Sequence, residues 1–324
     1  MLSHIVRRVL QSFGVLAVMS LLVFAAVYAV GNPMDILVNP QSDQDEIARA
    51  TAALGLDRSL LEQYFIFIKH ASTGDLGRSF AFNVPAIGLI LERMPATLEL
   101  ATAAMLIAVL LGIPLGLWAG LKPRSAAGRT IMAGSILGFS LPTFWVGLML
   151  IMVFSVWLGW LPTSGRGPTT NLIGIPVSFL TLEGLRHLAL PAANLALFNM
   201  SLLIRLTRSG TREALQQDYV RFARAKGLTE TRIVGVHVLR NVLVPVVTVA
   251  GVEFGSVIAF AVVTESIFAW PGMGKLLIDS INVLDRPVIV AYLCIVVTLF
   301  VAINLLVDVA YPWLDPRVRP GGAR

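Results

Sequence analysis

The residues best able to do chemistry in this 324-residue chain are four histidines, one cysteine and a scatter of carboxylates. Their spacing supports neither a catalytic nor a metal site. His4, His70, His187 and His237 lack the short intervals that bring imidazoles to one ion. Cys294, the single cysteine, lies in an apolar run, so no disulfide within the chain and no thiolate cluster is expected. There is no G-x-x-x-x-G-K-[ST] phosphate loop, so ATP is expected to be handled elsewhere. Nor is there a Gly-x-Ser-Gly with a membrane histidine, or an aspartate pair in catalytic context. What stands out is a charged block, "DYVRFARAKGLTETRIVGVHVLRN" at 218–241, between two apolar stretches. Its chemistry is docking rather than catalysis.

Read as helices, residues 213–239 place Leu215, Tyr219, Phe222 and Ala223 on one apolar stripe, with Gln217, Arg221 and Arg224 on the remaining faces. Gly227 follows as a C-terminal stop, since glycine tolerates the left-handed conformation. Thr229 can cap a second helix with Glu230 in its first turn, and Ile233, Val236 and His237 share one side of it. The expectation is two short helices at a bend, flat on the membrane surface. Ala223, Ala225 and Gly227 would let another backbone come close. A stripe too short to span has two uses: resting on anionic lipid, or seating in a partner's groove.

The elements that must position this block are membrane helices. The chain is 56% hydrophobic and 14% charged, against about 25% charged for soluble domains. Apolar runs of span length fall at 9–30, 97–121, 131–155, 188–206, 242–263 and 288–310. The first is long for a signal peptide and reads as an uncleaved anchor. Segments 1–8, 122–130, 205–240 and 317–324 hold 16 of the 25 Lys and Arg residues, so both termini and the block are expected on the cytoplasmic side. The net charge of +6 is assigned to this asymmetry and not to nucleic acid. The division is then an N-terminal transmembrane helix (1–30), an extracytoplasmic cap (31–96), a five-helix core (97–310) containing the loop 207–241, and a tail (311–324). The cap reads as two short amphipathic helices broken at Gly55, with Asp57 as N-cap, then turns. A structural plug and a docking surface or gate are both open for it.

A charged group at membrane depth costs about 2.5–3.5 kcal/mol on insertion scales, so polar residues there should face the bundle or a wet path. Asn194, Asn199 and Glu253 are the candidates for a translocation path. For Glu253 an interhelical hydrogen bond is the alternative, and for Asn194, after Pro191, a packing kink is the alternative to a broken helix. Asp308 reads as structural and Glu99 lies near a span end. "WPGMG" at 270–274 reads as an outer turn, and Gly134, Gly138 and Gly147 as helix-packing sites.

Seven strings carry a resemblance: "LGLD" at 54–57, "GDLGRSF" at 74–80, "ILERMPATLELA" at 90–101, "GWLPTSG" at 159–165, "DYVRFARAKGL" at 218–228, "FAWPGMGKLL" at 268–277 and "NLLVDVAYPWLDPRVR" at 304–319. In this order, over nearly the whole chain, they resemble the B-type permease subunits of dipeptide, oligopeptide, glutathione and nickel ABC importers. The block resembles their cytoplasmic EAA loop in its peptide-branch form, with His237, Leu239, Arg240, Asn241 and then Pro245. The general Glu-Ala-Ala pattern is matched only at Ala223, Gly227 and Leu239. One departure is Asn32, where the family often has Asp.

The resemblance implies an all-α polytopic membrane protein of the bacterial inner membrane, with six transmembrane helices in the type I importer (MetI-like) architecture. It implies a permease that is not itself an enzyme and binds no cofactor. Its partners would be a second permease, in a heterodimer, two cytoplasmic ATP-binding subunits using ATP and magnesium, and an extracytoplasmic binding protein that selects the cargo. Small peptides come first among the implied cargoes. Coupling to the ATPases is implied for Arg221, Phe222, Ala223, Arg224, Ala225, Lys226, Gly227, His237 and Leu239. The rival reading is an ATP-independent secondary transporter or channel, for which inverted repeats are expected; none is evident between 1–160 and 161–324.

Overall fold

The computed structural model describes residues 2–29 and 58–314. In chain order it has α1 (Leu2–Ala29), α2 (Leu60–Ser72), α3 (Ala86–Leu121), α4 (Ala126–Ser140) and α5 (Thr143–Leu150), the last extended by a π-helical turn, Ile151–Trp157. A two-stranded antiparallel hairpin follows, β1 (Thr170–Leu172) and β2 (Ile175–Val177). Then come α6 (Leu182–Gln216), α7 (Asp218–Ala225) and α8 (Glu230–Arg232). A second π segment, Ile233–Val238, leads into α9 (Leu239–Ile267), and α10 (Met273–Asn282) and α11 (Arg286–Leu314) close the chain. Gly55, Asp57 and Asn32 lie outside the described residues. The helix after them starts three residues beyond Asp57, at Leu60, with Ser59 as its cap in a reciprocal capping box with Glu62.

Among the described residues, five helical stretches are long and apolar enough to cross a membrane singly. The predicted span at 131–155 is instead two arms, α4 and α5, bent by 110°. Pro142 is the cause: it forces Leu141 into extended backbone (ψ 136°), which ends α4. The bent pair still makes one return passage, because α3 and α6 run parallel. A Cβ on Gly112 would meet Leu203, on Gly116 Ile204 and Thr207, and on Gly120 Thr211. The chain between them must therefore come back through α4 and α5.

The α3–α6 contact is the spine of the fold. Ala96, Leu100, Ala104, Ala108, Gly112, Gly116 and Gly120 recur every four residues along α3, and all are buried. Small residues at this spacing make one ridge row, against which a second helix can bring its backbone close. Of the glycines expected at helix contacts, Gly138 and Gly147 do pack, against Ser201 and against Asn194 and Phe268. Gly134 does not: nothing lies within 4 Å of a Cβ built there.

Around this spine α9 runs antiparallel to α6, with Val242 beside Gly210 and Thr264 beside Asn194. In turn α11 is antiparallel to α9, since Gly251 faces Val307 and Gly255 faces Phe300. α1 is peripheral and joins α11 through Arg8–Asp308 at 3.2 Å. The start of α1 and the end of α11 thus lie at the same end of the bundle as 218–241, the block end; α2, the hairpin and α10 lie at the other, the cap end. The structural role expected of Asp308 is this ion pair.

Candidate functional site

At the block end, the sequence of α7 determines how it stops. The Leu228 amide donates to the Ala223 carbonyl (3.2 Å) and the Gly227 amide to the Arg224 carbonyl (2.9 Å). This pair of bonds is a Schellman cap. Gly227 has φ +75°, the left-handed conformation expected of it, and no atom lies within 4 Å of a Cβ built there. Across the turn the Arg224 guanidinium binds Glu230 at 2.8 and 3.3 Å. The Asn241 side chain donates to Tyr219 Oη (3.2 Å) and to the His237 carbonyl (2.7 Å), fixing α7 to the base of α9.

Two details differ from the expectation. The helix breaks at Gln217, so Leu215 belongs to α6 and the buried face of α7 is Val220 and Ala223. Phe222 points outward, 62% exposed, with Lys226 Nζ 4.6 Å from its ring centre. Ala223 is turned into the chain's own core, while Arg221, Ala225, Lys226 and Gly227 remain exposed. The second helix, moreover, is not a separate surface element: α8 continues through the π segment into α9, making one helical stretch, Glu230–Ile267. A π-helix, bonded i→i+5, winds more loosely than an α-helix and shifts the phase of its faces; the buried pair here is Ile233 and Val238. Val236 is left exposed, and His237 and Leu239 are half-buried.

The three candidate path residues are not brought into one cluster. Asn194 is buried and donates to Thr264 Oγ1 (3.0 Å), and its own oxygen has no partner among the described residues. Asn199 is buried, its oxygen likewise without a partner among the described residues. α6 runs unbroken through Pro191, so the broken-helix reading for Asn194 does not hold. Glu253 is half-buried on α9 and makes no hydrogen bond or ion pair among the described residues, so the interhelical bond expected as its alternative is not found.

The strongest polar constellations are at the cap end, and hydropathy alone does not reveal them. Glu99 on α3 accepts from Arg166 Nε (2.9 Å) and Nη2, from the Ser178 amide and hydroxyl (both 2.8 Å) and from the Phe179 amide (2.9 Å). It thereby clamps the hairpin to the bundle. Glu265, fully buried on α9, accepts from Thr97 Oγ1 (2.6 Å) and from the Lys275 amide (3.0 Å), so it caps α10. A buried carboxylate is tolerated there because a helix N-terminus presents unpaired N–H groups and a positive dipole end. The "WPGMG" turn wraps this carboxylate: a Cβ on Gly272 would come within 2.2 Å of it. Trp270 is buried alongside, its Nε1 donating to the Ala96 carbonyl (2.9 Å). Asp285, also fully buried, accepts from the Ser79 hydroxyl and from the Phe80 (3.1 Å) and Ala81 (3.3 Å) amides.

The fold and these sites define a polytopic helical membrane permease, in which buried charges fasten loops to the bundle. Residues 112–320 match the family described as "Binding-protein-dependent transport system inner membrane component", and residues 1–101 match its N-terminal companion. Similar proteins include the di/tripeptide transport system permease protein DppB of Pseudomonas aeruginosa, 41% identical over 98% of this chain and 99% of its own length. The dipeptide permease DppB of Escherichia coli K12 is 38% identical, and the oligopeptide permease AppB of Bacillus subtilis 39%, each over 98% of this chain and 99% of its own length. A solved structure of the MetNI methionine ABC transporter in inward-facing form shares the fold, with TM-score 0.54 and 16% identity over 71% of this chain and 98% of that chain. The chain belongs to the family of binding-protein-dependent transport system inner membrane components, and is a permease subunit of an ABC importer.

Proposed function

We propose that this permease imports di- or oligopeptides and is driven through the block at 218–241, which seats in a cleft of a cytoplasmic ATP-hydrolysing subunit. The observation that carries the coupling is the construction of α7. It is braced by its Schellman cap, by Arg224–Glu230 and by Asn241, yet leaves Arg221, Phe222, Ala225 and Lys226 exposed. An exposed aromatic on a braced helix is what a partner's pocket can grip. Because α7 is joined both to α6 and, through Gly227, to the Glu230–Ile267 stretch, a push on it is delivered to two helices that traverse the membrane. The peptide cargo rests on the relatives' names. In this reading a second permease completes the pore, two ATP-binding subunits use ATP and magnesium, and a binding protein delivers substrate. Both termini and the block face the cytoplasm. Asn194, Asn199 and Glu253 are proposed as path residues, Glu253 foremost because it is half-buried without a partner among the described residues.

The test is Gly227→Glu. The site has open space, so the cost to this chain is backbone strain of roughly 1–2 kcal/mol, and the protein should still insert. Uptake and transport-coupled ATP hydrolysis should be lost, whereas Gly227→Asn, which tolerates φ > 0, should retain most of both. Normal uptake by Gly227→Glu would remove the coupling assignment. Capture of the tagged chain in mild detergent should bring a second permease and ATPase subunits. A clean homo-oligomer, under conditions that preserve a known importer, would favour an ATP-independent transporter.

A further inference from the structure

The segment before α3 was expected to cover the bundle from outside the membrane. We infer instead that α2 is an interfacial helix, its Leu61, Phe65 and Ile68 face sunk into the acyl region of the lipid bilayer beside α1.

The depth of α2 follows from its contacts. Its Tyr64 hydroxyl is 2.8 Å from Ser20 Oγ on α1, and Phe24 of α1 meets the Tyr64 and Phe67 rings at 5.4 and 5.9 Å. α1 runs to Ala29 and its sequence stays apolar to that end. Phe24, which both α2 rings meet, is therefore inside the apolar stretch, about 7.5 Å from the helix end at 1.5 Å per residue. A helix packed on Phe24 lies at the depth to which interfacial helices sink, about 5–10 Å.

The side of α1 that α2 occupies faces away from this chain's bundle. Phe13 lies two turns from Ser20 on the same face and is 66% exposed, in a span that buries little of itself in the bundle. So α2 sits on the outer rim, continuous with the exposed face of α1 and away from the α3–α6 spine. Its own sequence has three faces. Tyr64 and Phe67 meet α1. Leu61, Phe65 and Ile68, at i, i+4 and i+7, form an adjacent apolar stripe, with Leu61 72% and Phe65 69% exposed. Glu62, Gln63, Lys69 and His70 form the polar side, where Gln63 bonds the Arg58 carbonyl and His70 meets Asp75 at 3.2 Å. An apolar stripe at this depth meets hydrocarbon, and a polar face on the far side meets headgroups and water.

The test uses the assembled transporter in lipid vesicles. In a Cys294→Ser background, nitroxide labels are placed singly by Leu61→Cys, Phe65→Cys, Glu62→Cys and Lys69→Cys. Collision with oxygen, which concentrates in lipid, is compared with collision with a water-soluble nickel chelate. Labels at 61 and 65 should give an oxygen-to-nickel ratio severalfold above those at 62 and 69. The two apolar positions are independent, so failure of one variant to assemble leaves the other to decide. Equal nickel access at all four positions would overturn the proposal, placing the stripe in water. Shielding of 61 and 65 from both reagents would also overturn it, since protein would then cover the face.

Discussion

Removing the Glu99 carboxylate should open the β1–β2 hairpin. Its side chain is 3% accessible and that of Arg166 is 10%, so this is a buried pair. In Glu99→Ala the guanidinium stays buried without its counter-charge, and the Ser178 and Phe179 amides lose their acceptor. Breaking one side of a buried pair costs about 3–5 kcal/mol. The lower end applies here, because Arg166 keeps its bond to the Pro176 carbonyl (2.7 Å) and its place near the Trp270 ring (5.8 Å). About 3 kcal/mol corresponds to roughly a hundredfold rise in the open population. Hydrogen exchange of residues 177–181, in the protein held in lipid, should accelerate by that factor, while exchange in the middle of α3 stays as it was. Glu99→Leu combined with Arg166→Met should lie much nearer the parent than Glu99→Ala, since it leaves no orphaned charge. Exchange that changes less than tenfold in Glu99→Ala, or a double variant as loose as the single one, would refute the claim that this ion pair holds the hairpin.

Three further outcomes are expected. Gly116→Ala places a Cβ 2.6 Å from the Ile204 carbonyl oxygen, so it should lower the thermal midpoint in detergent at an overpacking cost of about 1–3 kcal/mol, whereas Gly134→Ala, in open space, should not. Asp285→Ala should release the turn at 79–82 and raise its cleavage by a protease added from the cap end, with the rest of the chain intact. Arg8→Gln and Asp308→Asn, read as a double-mutant cycle of unfolding, should couple by less than about 1 kcal/mol, because both side chains are more than a third exposed.

How much of this was legible follows from the range over which each signal acts. Hydropathy located the passages because it sums over about twenty neighbouring residues, and Gly227 was legible because a left-handed stop needs little beyond its own turn. The face of α7 was misread for an equally local reason. Starting the stripe at Leu215 assumes one continuous helix, and the break at Gln217 resets the phase so that Val220 goes inward and Phe222 outward. The π segment shifts the phase again at Ile233. The four-residue ridge Ala104, Ala108, Gly112, Gly116, Gly120 was in plain view in the sequence. The carboxylate clamps were not, since Glu99 meets Ser178, Glu265 meets Thr97 and Asp285 meets Ser79 across 79, 168 and 206 residues of chain. A buried acid close to a glycine-flanked helix start, as in Glu265 before Gly272 and Gly274, is the one local sign that could have pointed there.

These clamps bear on how such a permease can move. At the cap end three fully engaged carboxylates tie three separate segments, the hairpin, α10 and the turn at 79–82, to α3, α9 and α11. Displacing any of them would strip a buried carboxylate of its donors, at a cost comparable to the stability of a whole domain if all three were lost together. At the block end the ties of α7 are one exposed ion pair, one amide side chain and a helix cap, which hold α7 to the Glu230–Ile267 stretch or to its own turn rather than α6 to α9. A force applied at α7 therefore meets least resistance as a tilt of the α6 and α9 rods about the cap end. Labels on Ser209 of α6 and Arg240 of α9 should then change separation during the ATP cycle, while labels on Ile173 of the hairpin and Asn282 of α10 keep theirs. The reverse pattern, with the cap end moving and the block end fixed, would mean that the buried clamps are switches and not anchors.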